Sequence, residues 1–296
     1  MDAILLAGGI PRPEDPLYSY VKGDAKALVD IAGKPMVQWT LDALNDSQHV
    51  DSVIVAGLSP KNQLRSAKPL HYLPNQGRML ANIVAGINKS LQLNKNSKYV
   101  LVASSDIPAL EGHMVDWLVE TAMQTEDDLY YGVCPREVME KRYPGSNRTY
   151  SRLKDIELCG SDLNLCHVSV ATDHLDLWES LLGARKSPFK QASKLGLGLL
   201  FALAMRQLTL EQAVTRVSER IGIKGRAIVW PYAEPCMDVD KPHQLELMRE
   251  DLAKKQRKLK RKTVVKKATT KTTKRSTSPK KTTQTKPAAA PRTRSK

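Results

Sequence analysis

The sequence lacks an apolar run long enough to cross a bilayer. Its longest, residues 195–205, is held between Lys194 and Arg206. A span needs about twenty such residues, so this stretch predicts a buried helix. The four cysteines, Cys134, Cys159, Cys166 and Cys236, form no C-x-x-C pair and no metal-type spacing with histidine. The histidines show no i,i+4 or H-x-E spacing, which leaves zinc chemistry unsupported. A signal-peptide pattern is also missing, and together these absences give the expectation of reduced thiols in a cytoplasmic protein. Three active-site signatures are absent as well. There is no G-x-x-x-x-G-K-[ST] phosphate loop, no G-x-G-x-x-G dinucleotide fingerprint and no G-x-S-x-G nucleophile elbow. A nicotinamide-dependent oxidoreductase and a serine hydrolase are disfavoured accordingly.

Acidic residues are scarce in only one part of the chain. The net charge is +15 over 296 residues, but residues 251–296 hold eighteen Lys and Arg against the single acid Asp251. Residues 1–250 are therefore close to neutral, with 28 basic and 30 acidic side chains. The division predicts a folded domain over 1–250 and a Lys/Thr/Pro-rich basic tail over 251–296. From Lys254 onward the tail has almost no large apolar residues and is expected to be disordered. It would bind nucleic acid without sequence preference and release it in salt. It has no aromatic residue for stacking on single strands.

What is present is concentrated in the first forty residues. An apolar run, Ala3 to Ala7, ends in Gly8-Gly9 and is followed by a loop carrying Arg12 and Lys22-Gly23, then Lys26-Ala27-Leu28. A buried strand that delivers glycines and cations into a loop suits a polyphosphate. The glycines let backbone N–H groups approach the anion, and the cations neutralise it. Further along, apolar β-branched runs at 52–56 and 99–103 alternate with helical periodicity after Pro35 and from Met79 to Ile87. That order predicts a parallel, doubly wound α/β sheet with its site at the carboxyl ends of the strands. Asp106, following the strand at 99–103, is at such an end. Residues 136–152 have no clear period and read as a polar insertion. Strands are expected at 150–156 and 163–170, and helices at 175–182, 189–205 and 209–220, the last with a Thr209/Gln212 capping box.

Leu6-Ala7-Gly8-Gly9, Lys26-Ala27-Leu28 and Gly33-Lys34-Pro35 resemble the opening of the MobA-like nucleotidyltransferases. Ser105-Asp106-Ile107-Pro108 resembles the D-x-P metal motif of that family, and Asp238-Val239-Asp240-Lys241-Pro242 its D-[IV]-D-T-P, with Lys241 in place of threonine. The resemblance implies a three-layer, mostly parallel sheet of the GT-A-like nucleotide-diphospho-sugar transferase type. It also implies an Mg²⁺-dependent transfer of NMP from an NTP to a phosphorylated acceptor, with pyrophosphate leaving. Mg²⁺ would bind Asp106 and Asp240, with Asp238 as a supporting or alternative ligand. Lys26 would be the transition-state cation, and either Arg12 or Lys22 would fill the place of the family's loop arginine. The base would be read by Leu6, Ala7, Gly8 and Gly9 together with Gln76, Gly77 and Asn82. Gly160 and Asp162, in a partial match to a G-G-N, would lie on the acceptor side with Arg148, whose fork suits phosphate. The alternative is a nucleic-acid-associated protein that uses its body only as a nucleotide-binding scaffold. Base, acceptor and oligomeric state are left open.

Overall fold

A computed structural model describes residues 1–21, 23–172 and 197–275. The chain divides into two compact units, Met1–Leu252 and Ala253–Lys296. In the first, β1 (Asp2–Leu6) is followed by the short helix α1 (Tyr18–Val21) and a 3-10 turn at Lys26–Leu28. A small hairpin, β2 (Asp30–Ile31) and β3 (Lys34–Pro35), then leads into α2 (Met36–Asp46). Next come β4 (Ser52–Ala56), β5 (Leu70–Leu73), α3 (Met79–Leu93), β6 (Tyr99–Ser104), α4 (Gly112–Ala122), β7 (Leu129–Pro135) and α5 (Arg136–Arg142). The strands β8 (Ser151–Arg152), β9 (Glu157–Gly160) and β10 (Leu163–His167) follow, then α6 (Ser169–Thr172), α7 (Leu197–Ala204), α8 (Leu210–Ile221), β11 (Gly225–Val229) and α9 (Pro242–Arg275).

Nine strands make one sheet in the order β5-β4-β1-β6-β10-β7-β9-β8, with β11 paired to β7. β5, β4, β1 and β6 run parallel, as do β7 and β11, and the antiparallel β10 joins the two sets. Alternation along β1 makes the layers. Ala3 and Leu5 pack into a core shared with Leu41 and Leu44 of α2 and Val115 and Leu118 of α4. Ile4 faces the other way, with Ile87 of α3 and Val100 and Val102 of β6. A strand covered on both faces reads as a continuous apolar run because period two is invisible when both sides are buried. The β1 carboxylate Asp2 is buried as well. It accepts hydrogen bonds from Ser52 Oγ of β4 (2.7 Å) and Ser90 Oγ of α3 (2.6 Å), tying strand to neighbour and covering helix.

Several elements differ from the sequence reading. The stretch 136–142 is helical, with Glu137 and Lys141 at the i,i+4 spacing that supports a helix. The expected strand at 150–156 is reduced to Ser151–Arg152. The expected helix at 175–182 lies outside the described residues, and that at 189–205 is described only as α7. The Thr209/Gln212 capping box opens α8 as expected, with bonds of 3.1 and 3.2 Å. In the second unit residues 253–275 continue α9. Residues 276–296 lie outside the description. Among the described residues no helix is long and apolar enough to cross a membrane.

Candidate active site

Four chain segments converge at the carboxyl ends of β1 and β6, and main-chain hydrogen bonds hold them there. Ser105 N donates to Leu6 O (3.0 Å), and Ser104 N donates to Asp162 O (2.8 Å). Val239 N donates to Asp106 O (3.0 Å), and Asp162 N donates to Pro235 O (3.1 Å). Asp106, Asp162 and Asp240 are thereby brought to one end of the sheet from three distant parts of the sequence. The 3-10 turn that begins at Lys26 is fixed by Lys26 N donating to Gly9 O at 2.8 Å. This sets the lysine directly beside the Gly8-Gly9 loop.

Lys26 Nζ donates to Asp106 Oδ2 at 2.6 Å and also to Asp240 Oδ1. The Lys26 and Asp106 side chains are only 19% and 17% exposed, whereas Asp240 is 57% exposed, so the bridge runs from an inner to an outer carboxylate. Burial works against the ammonium. The fields of Asp106 and Asp240 outweigh it and hold Lys26 above the usual lysine range. Asp106 Oδ1 is buried with no hydrogen-bond partner. A buried carboxylate oxygen with free lone pairs, next to a second carboxylate, suits a hard divalent cation, so Asp106 and Asp240 fit the expected Mg²⁺. Asp162 has its carboxyl pushed up to about 7, first by burial and then by Asp106, with Arg148 pulling the other way.

Two clefts meet at Lys26 and Gly9. One, of ≈ 280 Å³, is lined by Leu6, Gly8, Asn75, Gly77, Asn82 and Asp106 among others. The second, of ≈ 400 Å³, runs past Ile10, Asp15, Leu17, Asp240 and Lys241. The turn after β5 is held against the glycine loop, with Asn75 Nδ2 donating to Gly8 O at 2.7 Å.

Residues 3–186 match the MobA-like NTP transferase domain. A hypothetical transferase from Thermus thermophilus is 32% identical, with a TM-score of 0.72 over 82% of this chain and 98% of that one. The chain belongs to the MobA-like NTP transferase family. More distant structures share the fold. CMP:2-keto-3-deoxy-manno-octonic acid synthetase in complex with CTP matches at 15% identity and a TM-score of 0.55, covering 86% of this chain and 99% of that one. The 4-diphosphocytidyl-2C-methyl-D-erythritol synthase of Anaerococcus prevotii matches at 10% identity and 0.51, covering 85% and 95%. A comparison with curated proteins gave no match.

Set beside the MobA-like pattern, the expected residues divide. Lys26, Asp106 and Asp240 meet, and Leu6, Gly8, Gly9 and Gly77 line the clefts. Arg12, expected on the triphosphate, is instead solvent-exposed and paired with Glu14 at 3.7 Å. Its backbone N donates to Asp15 Oδ2 (2.7 Å), which closes a turn and holds the arginine outside both cleft linings. Lys22 lies outside the described residues. Ala7 is buried and gives its N–H to Ala56 O, so it packs rather than faces the cleft. Gln76 turns its amide back to Pro74 O (2.8 Å). Asn82 is buried, accepts from Gln76 N (2.8 Å) and donates to Asn75 Oδ1 (3.1 Å). With one bond at each end of its amide, it braces the loop from within the lining of the first cleft. Asp238 and Arg148, expected as metal ligand and acceptor contact, form an ion pair with each other. Each thereby faces an opposite charge. Gly160 pairs with Val133 and leaves room for the Tyr131 hydroxyl, which a Cβ there would meet at 2.2 Å. Asn75 was missed by the sequence reading. Its only signal is its place in Pro74-Asn75 just ahead of Gln76-Gly77.

Proposed function

We propose that the chain transfers an NMP group from an NTP to a phosphorylated acceptor and releases pyrophosphate. The observation that carries this reading is the Lys26 ammonium bridging Asp106 and Asp240 at the end of the Gly8-Gly9 loop. The cleft beside Asn75 and Gly77 would take the base and ribose, and the exposed backbone at Gly9 would let the phosphates pass toward Lys26 and Lys241. A phosphate oxygen of the acceptor attacks the α-phosphorus, a new P–O bond forms, and the bond between the α-phosphorus and its bridging oxygen breaks. The departing pyrophosphate takes that oxygen and its electron pair.

In this reading Lys26 is an ammonium at the end of the glycine loop and offers fixed positive charge to the phosphates as negative charge redistributes. Asp106 and Asp240 would hold Mg²⁺, which when bound neutralises phosphate oxygens and draws electron density from phosphorus. Asn82 and Asn75 keep the base-side loop in place by the hydrogen bonds between them and Gly8. The test is pyrophosphate release by the full chain with each of ATP, GTP, CTP and UTP, a panel of phosphorylated sugars and alcohols, and Mg²⁺. Release that needs both substrates and is lost in Asp106→Ala supports the proposal. Undiminished release in that variant would overturn it.

A further inference from the structure

Three of the four cysteines meet at a single point beneath the site. Cys134 in β7 is directly opposite Cys159 in β9 across the antiparallel ladder. Cys236, at the end of the 3-10 turn Glu234–Cys236, closes on the pair. The three Sγ atoms lie within 4.8 Å of one another, and all three residues are buried. Thiolates bound about 2.3 Å from one common ion stand about 4 Å apart, so a small inward rotation of these side chains encloses such a centre.

Before an ion binds, the cluster carries its negative charge at one member. Cys159 is pulled below the ordinary thiol range by hydrogen bonds from the Cys134 and Cys236 thiols, while its hydrogen bond pushes Cys134 up and burial pushes Cys236 up. An ion that closes on the three sulfurs therefore displaces protons from Cys134 and Cys236. Thiolate sulfur selects soft cations over Mg²⁺ or Ca²⁺. Among the described residues no carboxylate or histidine joins the three sulfurs, which makes the donor set purely thiolate.

We propose that Cys134, Cys159 and Cys236 form a three-thiolate site for one thiophilic d10 cation of the Cu⁺/Zn²⁺ class. An ion there would fix the segment that runs from Glu234 to Asp240, whose Pro235 carbonyl accepts from Asp162 N. It would thus staple β7 and β9 to the segment that supplies the outer carboxylate.

The test uses the full chain purified under reducing, anaerobic conditions, with Cd²⁺ as an optical probe of the class. The expected result is a thiolate-to-metal charge-transfer band that saturates at one equivalent of Cd²⁺, with a raised melting temperature, and that Cu⁺ displaces. Cys159→Ser and Cys236→Ser should abolish the band, while Cys166→Ser should keep it. Should a serine variant fail to fold, mass mapping of alkylated cysteines in the wild type replaces it, with Cd²⁺ expected to protect Cys134, Cys159 and Cys236 together. Absence of the band and of any bound metal in the wild type, or a band retained in Cys159→Ser, would overturn the proposal.

Discussion

At Lys26 one ammonium serves two carboxylates of unequal exposure. Asp106 is fixed and half-enclosed, while Asp240 stands largely in water. Removing the lysine therefore removes the cation between the carboxylates, where the proposed reaction needs positive charge, and leaves two like charges facing each other. Lys26→Ala should lower turnover by about 10²–10³ with NTP affinity reduced less, as measured by steady-state pyrophosphate release. Asp162 gives a pH signature of opposite sign to that of most carboxylates. Its folded carboxyl keeps a proton up to about 7, whereas an unfolded aspartate releases it near ~3.9. Between those values the folded state binds the extra proton, so stability falls as pH rises through the window. Asp162→Asn should melt higher than the parent at pH 8 and converge with it at pH 4, followed by thermal denaturation without divalent ions. Lys26, Asp106 and Asp240 can be read from the sequence because each is part of a short local motif. The pairing of Asp238 with Arg148 cannot, since it joins a loop after α5 to a segment far along the chain.

Elements meet most tightly where β4 ends against the glycine loop. Gly57 has φ +103°, and a Cβ there would lie 2.2 Å from Gly8 Cα and 2.4 Å from Gly8 N. Neither backbone can yield without moving the end of β1. Gly57→Ala should destabilise the protein by about 3 kcal/mol, seen as a lower denaturant midpoint, and weaken NTP binding in what remains folded. The parallel half of the sheet was readable because apolar strands and amphipathic helices alternate there at regular intervals. The second half was harder for physical reasons. α5 has only seven residues, too few for a period to show. β9 and β10 pair successively along the same edge of β7, and no local pattern announces that. The β7–β9 pairing sets Cys134 against Cys159 and a distant 3-10 turn adds Cys236, so spacing along the chain carries no trace of the cluster.

For the molecule as a whole, charge and chemistry belong to different parts of the chain. Every residue that meets at the site lies in Met1–Leu252, while the basic excess falls almost wholly beyond it. A chain ending after Leu252 should retain the turnover of the full chain, measured under identical NTP and acceptor concentrations. Loss of turnover on truncation would instead make the basic segment part of the catalytic unit. The segments that carry Asp106, Asp162 and Asp240 are joined by main-chain hydrogen bonds, with the Lys26 side chain added between Asp106 and Asp240, and any residue but proline supplies both main-chain groups. Mutation can therefore replace the covering side chains one after another through descent without shifting the strand ends. Chains only 10–15% identical to this one share the fold.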